Sequence, residues 1–141
     1  MNNVNLVKFI NVIDGYRGKP FIIGESDCHI ICLHLLDELY GTNFKTKVFK
    51  KYKTIKKGLK KANELTGFDC LSSLLAEYIE PITPELACSG DIVIQSGKWE
   101  SVIFHNGDHY VEANEKSGLI DNVPLYNTLE NNPRYYRFKG V

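Results

Sequence analysis

The chain has 141 residues, of which 43% are hydrophobic and 24% charged, a length and balance that suit one folded domain and exclude disordered, collagen-like or low-complexity architectures. Seventeen basic and seventeen acidic side chains cancel, so no global field draws the molecule to nucleic acid or to anionic lipid. The apolar stretches, such as Phe21 to Ile23 and Ile30 to Leu36 with its interrupting His34, fall far short of the roughly 20 residues that span a bilayer.

The first residues lack a basic segment leading into an apolar run and a small-residue cleavage site, so the expectation is synthesis in a cytoplasm without secretion by its own signal. In that reducing setting Cys28, Cys32, Cys70 and Cys88 are expected as thiols. Val4, Leu6, Val7, Ile10 and Ile13 recur at close to helical spacing and predict an amphipathic opening helix over 4–13, broken by Asp14 and Gly15. A short apolar burst from Phe21 is closed by Gly24. Ser26 and Asp27 then offer helix caps to a run from Cys28 to Tyr40 that Gly41 ends. Within that run Cys28, Ile31, Cys32, Leu35, Leu36 and Leu39 form one apolar stripe, which marks the central helix of the fold.

Nine lysines and no acidic residue lie between Lys45 and Lys61, interleaved with Val48, Phe49, Tyr52, Ile55 and Leu59. Such a stripe on a half-buried loop and helix serves either as a solvated face that keeps a protein soluble or as a surface for phosphate or an acidic partner. A short helix is predicted from Leu71 to Tyr78, after which Pro81 and Pro84 force an extended passage. Beyond Cys88 the texture changes to strands: Ile92 to Ile94, Val102 to Phe104, Tyr110 with Val111, and Tyr135 to Phe138. Asn106 and Gly107 predict a type I′ hairpin turn. The expected class is therefore α+β in a single domain over 1–141, with a helical half to about residue 80 and an antiparallel sheet from about residue 88.

The chemistry-bearing feature is Gly24-Glu25-Ser26-Asp27-Cys28, a polar turn that delivers a cysteine to the first turn of a buried helix. Free amides and aligned peptide dipoles at that position stabilise a thiolate, so a nucleophile with a lowered pKa is one reading of Cys28. The other is that Cys28 and Cys32, four residues apart, are small hydrophobes of the helix interface. Metal coordination has little support, because Cys28, His29 and Cys32 supply at most two ligands on one helix face, and no cofactor motif is present.

Phe21 to Gly24, Asp27-Cys28 opening a helix that ends Leu39-Tyr40-Gly41, Gly90-Asp91 running into Ile92-Val93, the strand pair with its Gly-containing turn, and a terminal Tyr135-Tyr136-Arg137-Phe138 strand follow one another in a telling order. Together with the lysine-rich segment around Tyr52, they resemble the NlpC-type cysteine peptidases of the papain-like fold, most closely small relatives found among phage tail genes. The resemblance runs from about residue 20 onward and implies an N-terminal set of helices packed on a C-terminal antiparallel sheet.

In active members of that family a cysteine at the position of Cys28 pairs with a histidine at the start of the strand after the Gly-Asp strand. Here that position falls near Trp99, with Glu100 and Ser101 beside it, and none of these is an imidazole. The family's third, orienting residue falls near Glu112. His105 stands six residues beyond Trp99, about 20 Å along an extended strand, and His109 has the same difficulty. His29 points about 100° away from Cys28 on the helix, and His34 lies further along.

The resemblance thus implies a structural component of a phage tail tip or baseplate, carried in the virion, that keeps an NlpC-like fold without efficient catalysis. Its partners would be other tail or baseplate proteins, met through Trp99, Tyr110, Tyr135 and Tyr136. The alternative is an active cysteine peptidase that cleaves the peptide crosslinks of peptidoglycan as the phage crosses the cell wall. In that case Cys28 is the nucleophile and His105 or His109 the base. A nucleic-acid-binding module on the lysine stripe is a third reading, against which the neutral total charge counts.

Overall fold

The computed structural model describes all 141 residues. Helix α1 (Asn3–Tyr16) is capped by the Asn2 side chain, which accepts the Asn5 amide at 2.9 Å. It buries Phe9, Val12, Ile13 and Tyr16, whereas Val4 and Val7 are exposed. The buried stripe is therefore rotated from the predicted one. Asp14 and Gly15 do not break the helix, because both sit on its solvent side and Asp14 is bonded to Arg17 at 2.9 Å.

Helix α2 (Cys28–Tyr40) has the predicted limits, with Asp27 as N-cap and Gly41 in the left-handed conformation (φ 71°) closing it. It buries Ile30 and Leu33 as well as most of the predicted stripe, because α1 and α3 pack on its flanks while β3 lies beneath it. The lysine-rich segment folds as α3 (Lys45–Val48) and the amphipathic α4 (Ile55–Thr66), followed by α5 (Leu71–Leu75), which is shorter than predicted.

The six strands form one antiparallel sheet in the order β1-β6-β2-β3-β4-β5: β1 (Ile79–Pro81), β2 (Ile92–Gln95), β3 (Ser101–His105), β4 (His109–Asn114), β5 (Leu119–Pro124) and β6 (Arg134–Phe138). The α+β class holds, in one domain. The segment after α5 contributes β1 to the far edge of the sheet through Ile79↔Phe138, so the two halves interlock instead of meeting at residue 80. The hairpin turn also differs from the predicted one. Its central residues are Gly107 and Asp108, and only Gly107 has positive φ (87°), the type II′ pattern with glycine at its first central position.

One face of the sheet carries Ile92, Ile94, Val102, Phe104, Val111, Ile120 and Phe138 into the main core with α1 and α2. The other face holds a small cluster of Val93, Ile103 and Tyr110, covered in part by Leu129. Two sequence features that lie 46 residues apart meet here. The buried Asp91 accepts from Arg137 Nε and a terminal guanidinium nitrogen, both at 2.9 Å, and from the Cys88 amide. The Gly-Asp step is also tied to the end of β3, with the His105 amide donating to the Asp91 carbonyl at 2.9 Å.

Both sheet edges are blunted. Strand β1 has three residues and ends in Pro81. Along the outer side of β5 the chain at 18–21 is hydrogen-bonded to Gly118 and Ile120, and Pro124 ends the strand.

Candidate functional site

The approach to α2 is fixed before the helix begins. Ser26 Oγ donates to the Pro20 carbonyl at 2.6 Å and accepts the Ile22 amide at 2.9 Å, which closes the turn. Gly24 adopts φ 87°, and a Cβ there would run into the Tyr52 carbonyl, so only glycine combines this backbone with this approach. Asp27, 1% exposed, accepts the Ile30 amide at 2.9 Å as the helix cap. It also takes the Gly24 amide at 2.7 Å and the Tyr52 hydroxyl at 2.6 Å. Burial, then the Asp27 charge, pushes the Tyr52 phenol far up, so it stays a donor.

Cys28 opens α2 at the wall of a cleft of about 220 Å³ lined by Phe21, His29, Trp99, Glu100, Ser101 and Glu115 among others. Trp99, Glu100 and Ser101 line the same cleft as the cysteine. The thiol's surroundings act against the lowering that a helix N-terminus favours. Burial first, and the Asp27 carboxylate second, push Cys28 up to about 12, against smaller opposing contributions from the backbone at Val102 and at Cys28 itself. Desolvation penalises the thiolate most, and the capping Asp27, which accepts the Ile30 amide, adds a negative charge beside the sulfur. Cys32 is fully buried and its thiol is pushed up by burial as well, the behaviour of a core hydrophobe.

No imidazole is hydrogen-bonded to Cys28. His105 closes the opposite end of β3, where its Nδ1 accepts the Gly107 amide at 3.1 Å and its ring packs edge-on to Tyr110. Burial lowers its pKa. The Cys28 sulfur lies at Val102, three residues away, or about 10 Å of strand. His109 is exposed at the start of β4. Glu112 pairs with Ile103, on the sheet face that carries Tyr110 and away from the main core, and burial raises its pKa.

His29 does line the cleft, a placement the helical angle from Cys28 does not convey. Its Nε2 donates to the Glu100 carbonyl at 3.0 Å, which leaves Nδ1 as the acceptor of the neutral ring. Behind it the Glu100 carboxylate accepts the Ser72 amide at 3.0 Å and Arg134 at 3.3 Å. Burial would raise the Glu100 pKa, but these bonds and one from Cys70 more than offset it and hold the carboxyl low. Glu100, next to Trp99, thus ties α5, β6 and α2 together.

All four cysteines are free thiols. No three His, Cys, Asp or Glu side chains gather in a way that could hold a metal ion, and no helix is long and apolar enough to cross a membrane. No curated protein and no solved structure matches the chain. Residues 6–127, which span α1 to the end of β5 and every element lining the cleft, match the family described as Domain of unknown function (DUF6950). The chain belongs to that family.

Proposed function

We propose that this chain is a non-catalytic structural component of a bacteriophage tail tip or baseplate, built on an NlpC-like papain fold whose hydrolytic centre has been converted into a packing joint. The tail setting comes from the resemblance in the sequence. The loss of chemistry is supported by one observation: Cys28 stands beside a buried carboxylate with no imidazole bonded to it. Attack on an amide requires a thiolate and a proton donor for the leaving amine. A thiol at about 12 supplies the thiolate in on the order of one molecule in 10⁵ at neutral pH.

The hydrolase reading finds His29 as the imidazole-bearing residue that lines the cleft with Cys28. Incubation of the chain with purified peptidoglycan separates the two. The expected result is no release of peptide ends above the level given by Cys28→Ala. Release by the wild-type chain that Cys28→Ala abolishes overturns the proposal. Mass spectrometry of purified particles tests the setting, and a chain confined to infected-cell cytoplasm and missing from the particles overturns that part.

A further inference from the structure

A second cleft, sharing no residue with the first, opens between α1, the loop from Lys19 to Ser26, α2 and α3. Its volume is about 340 Å³, within the usual range of small-molecule sites of about 300–1,000 Å³. Tyr16 forms one wall, and its hydroxyl is 2.9 Å from His34 Nδ1. This bond ties α1 to α2 at the wall of the cleft. The other ring nitrogen, Nε2, lies 3.9 Å from Glu38, and burial, with the Lys45 charge second, lowers the His34 pKa.

Two ammonium groups complete the arrangement. Lys19 and Lys45 each place Nζ 5.7 Å from the centre of the Tyr16 ring, and neither is in an ion pair. Glu25, the carboxylate that lines this cleft, is matched by Lys50 at 3.7 Å. Lys45 is held in place from below, since Asp37 accepts the Phe44 and Lys45 amides at 2.8 and 3.0 Å. Phe49 and Ile22 supply an apolar side to the same space.

We propose that this cleft binds the terminal phosphate of a small phosphomonoester, with Lys19 and Lys45 as its cationic contacts and the organic part against Phe49 and Ile22. Two positive charges outside any ion pair favour a dianion over a single carboxylate. Lysine acts on phosphate as a point charge and does not impose the planar fork that arginine offers a carboxylate. Lys45 lines this cleft and not the cysteine cleft, so phosphate binding here is independent of any peptide hydrolysis at Cys28.

The test is an NMR titration of the full chain with inorganic phosphate, dimethyl phosphate and acetate. Phosphate should give saturable shifts at Tyr16, His34 and Lys45 at millimolar concentration, with the monoanionic diester and acetate at least about tenfold weaker. Lys19→Gln with Lys45→Gln should weaken phosphate binding at least about tenfold, and Lys19→Gln alone, at an exposed position, should weaken it by a smaller factor. Lys56→Gln with Lys57→Gln, on α4 outside the cleft, should leave it unchanged. Absence of saturable shifts, equal binding of the diester or acetate, or an equal loss in the α4 variant would each overturn the proposal.

Discussion

Cys28 occupies the position on a helix that ordinarily activates a thiol, and its neighbours reverse the effect. Desolvation disfavours the anion, and Asp27 adds a like charge one residue away. Asp27→Asn removes that charge, so the pH at which Cys28 becomes alkylated should fall while remaining above that of an ordinary thiol, because burial persists. Iodoacetamide labelling of the Cys28 peptide across pH, read by mass spectrometry, checks this, and an unmoved profile would mean that Asp27 is not the cause. The same change should cost about 1–3 kcal/mol, since one amide oxygen cannot accept from Gly24, Ile30 and Tyr52 together. Asp27 as a cap was legible from Ser26-Asp27 before an apolar run. Its bond to Tyr52 was not, because nothing local links residues 25 positions apart, and that bond is part of what keeps the carboxylate buried beside the thiol.

Helix α4 is attached to the molecule through a glycine. A Cβ at Gly58 would sit 2.7 Å from two carbons of the Tyr52 ring, and the ring cannot swing freely because its hydroxyl is fixed on Asp27. Alanine in place of a helical glycine ordinarily stabilises by up to about 1 kcal/mol. Here Gly58→Ala should instead destabilise by about 1–3 kcal/mol through overpacking, measured by urea unfolding, and a neutral or stabilising result would show that α4 rides loosely. At this scale the sequence was readable where pattern and punctuation agreed. Asp27 and Gly41 bracket α2, and the apolar runs of β2 and β3 announce themselves. Strand β5 escaped because Leu-Ile-Asp-Asn-Val-Pro buries only Ile120 and draws its regularity from pairing with β4. Strand β1 escaped because a three-residue run that ends in Pro81 exists only through β6. The face of α1 was misread because Val4 and Val7 count toward periodicity as fully as Phe9, although packing selected the stripe with the larger side chains.

For the molecule as a whole, the buried acids that ionise at high pH all lean one way. Burial first raises Cys28, Tyr16, Tyr40 and Tyr110 to about 12, from ordinary values of 9.0 for the thiol and 10.0 for the phenols, and raises Cys32 and Tyr52 as well. A folded-state pKa above the unfolded one means the native chain holds protons that the unfolded chain has released. The stabilisation is therefore complete below about pH 9 and is lost progressively as pH rises toward 12. Urea midpoints recorded from pH 7 to 11 should be steady at first and then decline, and a flat series would contradict this account of the core. The α+β class and the order of helices before sheet were legible because α2 and the strands differ in hydrophobic period. The interlocking of the halves through β1 and the bracket at Glu100 were not, since both depend on partners far away in the chain.

The blunted ends of the sheet constrain how this protein can join anything larger. A three-residue margin closed by proline on one side, and a margin whose first half is taken up by residues 18–21 and whose end is Pro124 on the other, leave few main-chain donors or acceptors for an incoming strand. Strand addition is thereby disfavoured at both edges, so that a contact with another molecule would fall to the side chains of the outer surface.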